Sequence, residues 1–83
     1  MMTKEELGNE FWLLTQGILQ DSRVDAVEAK VVKRWLEEHS DAGDFSVVIA
    51  KLDRFLKDGF IDRFESTDIT SDIGTVLRNL RRA

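Results

Sequence analysis

Apolar positions along this chain recur at intervals of three and four, the spacing that places side chains on one face of an α-helix. Leu7, Phe11, Leu14 and Ile18 make a first stripe, widened on one side by Trp12 and Leu19, while Leu13 points the opposite way. Val31, Val32, Trp35 and Leu36 make a second, and His39 falls on the same face in the last turn. The cleanest pattern is the third, Phe45, Val48, Ile49, Leu52, Phe55 and Leu56; the fourth runs Ile69, Ile73, Val76, Leu77 and Leu80. Four amphipathic helices are therefore predicted, and no proline is present to interrupt them. Thr3 and Glu6 have the spacing of a capping box, and Asp44 is the expected N-cap of the third helix. Gly43 marks the turn in HSDAGD between the second and third. Arg78, Arg81 and Arg82 lie near the end of the fourth, where the helix dipole favours cations. Ser66, Thr67, Thr70, Ser71, Gly74 and Thr75 are poor helix formers, which makes Thr70 the weak point of that helix.

Between the stripes the chain repeats a phrase. ILQDSRVDAVE at 18–28 and FLKDGFIDRFE at 55–65 share Leu, Asp, a branched aliphatic, Asp and Glu at the same offsets. The period is about 37 residues, a length suited to a helix-loop-helix unit. Each part of the phrase has a physical use. Asp21 and Asp58 close a helix, Gly59 supplies a left-handed residue, and Ser22 holds that place less comfortably in the first copy. Val24 and Ile61 are single aliphatics in polar turns and are expected to point inward. Asp25 with Glu28, and Asp62 with Glu65, have the spacing of reciprocal N-terminal caps. The predicted fold is an all-α, four-helix domain spanning residues 1–83. It is built from two pseudo-repeated helix-loop-helix units, about 11–39 and 45–81, with the two acidic turns adjacent.

The second phrase also looks like half of an EF-hand. With Glu65 as position 12 of the calcium loop, Asp58, Gly59, Ile61 and Asp62 fall at 5, 6, 8 and 9. Positions 1 and 3, which must supply oxygen, are Arg54 and Leu56; in the first copy they are Gly17 and Leu19. The turn and the second-helix cap are kept and the first ligands are missing. GILQDSRVDAVEAKVVKRWLEEH followed by FLKDGFIDRFE resembles the small helical region beside BRCT domains in some bacterial DNA-metabolism proteins. It is more loosely similar to the TerB-like helical domains of the tellurite-resistance group. The residues that carry the resemblance are Gly17, Ile18, Asp21, Glu28, Trp35 and Leu36, then Leu56, Asp58, Gly59, Ile61 and Glu65. The resemblance implies a helical fold and partner binding, and it transfers no catalytic residue.

Composition narrows the function. The chain has no Cys and one His, so there is no thiolate site, no disulfide and no frame for a Ser-His-Asp triad. It has no glycine-rich phosphate loop, and enzymatic activity is not expected. His39 reads as a C-terminal cap, and the pair Asp68/Asp72 as a solvated face. A net charge of −4 argues against direct nucleic-acid binding, and Lys30, Lys33 and Arg34 make too short a basic stripe to reverse that. No apolar run suits a membrane, and the polar start of the chain has no signal-peptide character, so the cytoplasm is expected. No cofactor is implied. The favoured function is a protein-interaction or accessory module of bacterial or phage type, binding a protein partner or another copy through Trp12 and Leu13. One alternative is a divalent-metal-responsive module using Asp21, Asp25, Glu28, Asp58, Asp62 and Glu65; another is an acidic decoy that mimics DNA.

Overall fold

Each predicted stripe becomes a helix. The computed structural model describes residues 3–21 and 23–81, without the side chains of Ala42 and Arg81. Ser22 and Arg82, predicted to lie in a turn and at a helix end, fall outside the described residues. Helix α1 spans Lys4–Asp21, α2 Ala26–Glu38, α3 Ser46–Lys57 and α4 Arg63–Arg81, with one 3-10 turn at Ser40–Ala42. The described residues form no strand.

Reciprocal capping boxes launch α1, α2 and α4. Ahead of α1, the Glu6 amide donates to Thr3 Oγ1 and the Thr3 amide to Glu6 Oε1. Helix α3 starts differently from expectation. Asp44 Oδ1 accepts from the Ser46 amide and hydroxyl, but Phe45 occupies the N-cap position without a side-chain cap. Phe45 is buried, and anchoring that ring takes the residue out of the helix it was expected to join. The two bonds from Ser46 hold the Asp44 carboxyl below its usual range. Helix α4 is continuous through Thr70. The hydroxyls of Thr67, Thr70 and Thr75 each donate to the carbonyl four residues back, satisfying themselves within the helix. Burial of Ile69, Ile73, Val76, Leu77 and Leu80 outweighs the weak propensities.

Two stripes are rotated from the predicted ones. In α1 the buried residues are Leu7, Gly8, Phe11, Thr15 and Ile18, and Leu14 is exposed. At about 100° per residue, Gly8 and Thr15 pull the centre of the buried face round past Phe11 and leave Leu14 at its edge. Thr15 meets its burial by donating to the Phe11 carbonyl at 2.7 Å. In α2 Ala29 joins Val32, Trp35 and Leu36 inside, which turns Val31 outward.

The Cα envelope measures 35 × 23 × 16 Å, room for two layers of helices at the usual spacing of roughly 8–10 Å. Helix α1 lies along α4, α2 lies along α3, and a lesser contact between α3 and α4 joins the pairs. The two closest pairings each take one helix from each half of the sequence. Phe11, Leu36, Leu52, Ile69 and Ile73 fill the centre. At one end Trp35 packs on Phe11, with ring centroids 4.8 Å apart, and donates its indole N–H to Glu10 Oε1 at 2.7 Å. The His39 ring stacks on Trp35 at 4.1 Å, and His39 caps α2 through its amide and Nδ1, both directed at the Trp35 carbonyl. No described helix is long and apolar enough to cross a membrane.

Candidate functional site

The helices that follow the two repeated phrases are capped alike. In the first, Asp25 Oδ1 accepts from the Glu28 amide at 2.7 Å, and Glu28 Oε1 from the Asp25 amide at 3.2 Å. In the second, Asp62 Oδ1 accepts from the Glu65 amide at 2.8 Å, and Glu65 Oε1 from the Asp62 amide at 3.1 Å. Gly59 takes φ of 68° and donates its amide to the Leu56 carbonyl, closing α3 in the left-handed conformation that a side chain would strain.

The turns also meet. The Val24 amide donates to Ser66 Oγ, on the first turn of α4, at 2.7 Å. Between them lies an open groove of about 1100 Å³, lined from both turns. Its buried and half-buried lining is Val24, Ala26, Glu28, Ile61 and Ser66; its exposed rim includes Asp21, Asp25 and Asp62 with Arg23 and Arg63. Phe60 also lines it and is 66% exposed. Val27 and Phe64, each next in sequence to a groove residue, are 70% and 85% exposed. These two stand at equivalent places, the second helical position after Asp25 and after Asp62.

Of the six carboxylates weighed as metal ligands, Asp21, Asp25, Glu28 and Asp62 line the groove, while Asp58 and Glu65 do not. Asp25, Glu28, Asp62 and Glu65 are each engaged in a cap. Among the described residues no three His, Asp or Glu side chains gather into a group that could hold a metal ion.

The charge around α3 is arranged in another way. Lys33 bonds Asp53 at 3.1 Å, and Lys51 reaches Asp68 at 3.2 Å and Asp72 at 2.9 Å. Asp72 is largely covered, so the expected solvated pair Asp68/Asp72 is instead a two-carboxylate clamp on one ammonium. That clamp, the Asp72 bond foremost, raises the Lys51 pKa above its ordinary value against the opposing effect of burial. Arg34 pairs with Glu38 one turn on. Cations are interspersed with the acids over this part of the surface, the arrangement a continuous DNA-like negative face lacks.

Trp12 and Leu13, the residues expected to meet a partner, are exposed at 39% and 62%, and Leu14 beside them is exposed as well. Sequence reasoning missed Phe60 and Phe64. The signal was present: an aromatic residue stands on either side of Asp62, off the apolar spacing that leads into α4. No protein-family model, curated protein or solved structure matches this chain.

Proposed function

We propose that the chain is a small, non-enzymatic protein-interaction module, an accessory domain of bacterial or phage type. The observation that carries this reading is the exposure of Trp12 and Leu13, neighbouring large apolar side chains of α1, at 39% and 62%. Scattered single apolar residues are normal on a surface; an exposed Trp beside an exposed Leu on one helix is a candidate contact. Trp is the side chain that most often anchors such a contact. The resemblance of the duplicated turns to the BRCT-associated and TerB-like helical regions points the same way, toward partner binding in a bacterial cell.

The test replaces Trp12 and Leu13 together by Ser. Sedimentation velocity over a range of concentrations reads self-association. A photo-crosslinking residue at position 13, used in the native host and read by mass spectrometry, reports a foreign partner. Loss of the association or of the crosslinked species in the double variant, at unchanged helicity, supports the reading. An association that persists undiminished removes this surface from it.

A further inference from the structure

The groove between the two turns has a character of its own, and three observations bear on what fits it. The first is shape and polarity. Val24 and Ile61 lie within and Phe60 stands at the side; Val27 and Phe64 do not line it, but each is exposed and next in sequence to residues that do. The second helical position of a capped helix is ordinarily solvated and has no folding reason to be aromatic. Here both copies are apolar, and the larger is the more exposed.

The second observation is charge. Four carboxylates line the groove, from Asp21, Asp25, Glu28 and Asp62, against the two guanidinium groups of Arg23 and Arg63. Among the described residues none of these four carboxylates forms an ion pair, a state they share with Glu37, Asp41 and Asp58 elsewhere, so the charge of the groove is that of its four acids against two bases. The helix N-termini that open here do not call for an anion, because Asp25 and Asp62 already cap them. The third observation is backbone. The lining consists of turns and helix ends, with no strand edge among the described residues to which an extended peptide could add.

From these we infer that the groove is the docking site for a basic amphipathic helix of a partner protein, its apolar face on Phe60, Phe64 and Val27 and its Lys or Arg residues over the unpaired carboxylates. The inference rests on the interaction-module reading and gives it a second, chemically defined surface. A second copy of this chain is the poorer occupant. Its own groove brings the same unpaired acids, and the whole chain carries −4, so apposing two such ends sets like charges together.

The experiment uses the full chain and a fluorescein-labelled peptide of Leu and Lys with Leu at i, i+3, i+4 and i+7. A Leu/Glu peptide of the same pattern and a Ser/Lys peptide without apolar residues are the comparisons. Fluorescence anisotropy is expected to show Leu/Lys binding with Kd on the order of micromolar and at least about tenfold weaker binding of both others. Amide shift changes should centre on residues 23–28 and 59–67. Phe60→Ser with Phe64→Ser should weaken binding about tenfold or more. Asp25→Asn with Asp62→Asn, which keeps a good capping oxygen and removes the charge, should weaken it several-fold. Equal binding of the Leu/Glu peptide overturns the inference, as does a dimer that dissolves in the Phe60/Phe64 variant, which would make the second copy the occupant. Shifts centred on 12–14 overturn it and leave the interaction-module reading standing. Absence of peptide binding together with undiminished association in the Trp12/Leu13 variant removes the groove and the α1 surface alike.

Discussion

The two turns are near-copies in sequence, and they differ in how tightly the molecule holds them. Their caps are closely matched in geometry. Yet Val24 is 4% exposed with its amide tied to Ser66, whereas Ile61 packs at the margin of the core. Phe60 replaces Arg23 and Phe64 replaces Val27, and both aromatics face water. The asymmetry begins at one position. Ser66 stands where the first copy has Ala29, and both are buried. The serine hydroxyl is what the Val24 amide needs; an alanine there would leave that amide without an acceptor. A shared phrase thus specifies how each helix starts, and the positions that differ specify which turn becomes structural and which stays available.

The sharpest way to break this comparison is to remove what holds the first turn. Ser66→Ala leaves the Val24 amide unpaired and is expected to cost about 2 kcal/mol. Val24→Ala removes buried methyl groups and leaves a cavity, also about 2 kcal/mol, against roughly 1 kcal/mol for Ile61→Ala at the core margin. In a domain of this size 2 kcal/mol corresponds to a fall in Tm of roughly 10 °C. Urea denaturation followed by circular dichroism measures each. Equal losses at Val24 and Ile61 would mean that the two turns are held alike after all.

The caps should give the opposite result, equality. Asp25→Ala and Asp62→Ala are each expected to cost about 1 kcal/mol, since the two boxes have nearly the same geometry. A difference of more than about 1 kcal/mol between them would show that one cap has a second duty, and Asn at the same positions would tell whether that duty is the charge. Gly59→Ala should also cost about 1 kcal/mol. Nothing lies within 4 Å of where its Cβ would go, so the loss is that of forcing a side chain into the left-handed region. Gly59→Asn, which tolerates that region better, is expected to recover part of it.

Helix number, order and most of the core were legible because burial follows period, and the period here is strong. The three capping boxes were legible because a cap is a local device, written within four residues. What was not legible depends on the other helices. Leu14 and Val31 lie within reach of their predicted stripes, and only the positions of neighbouring helices turn them outward in favour of Thr15 and Ala29. Ser66 read as a poor helix former, since its partner is 42 residues away. The Lys51 clamp on Asp68 and Asp72 was hidden for the same reason, as it joins α3 to α4. At the candidate groove the sequence placed the acids and both inward aliphatics together, and the exposed aromatics beside them went unread, because hydrophobicity alone does not say which side of a turn a side chain takes.

The smallest expected effect is the one that separates surface from core in the second turn. Phe64→Ser changes a side chain that is 85% exposed, so it should alter stability by no more than about 0.5 kcal/mol, and Val27→Ser should do as little. A large aromatic whose loss folding does not notice is free to meet a partner. If Phe64→Ser instead destabilises the chain by about 2 kcal/mol, the ring is packed in solution. The second turn is then as structural as the first, and the proposed docking face loses Phe64. Stability within the stated limit, together with the loss of Leu/Lys peptide binding in the Phe60/Phe64 variant, is the combination that only an available turn produces.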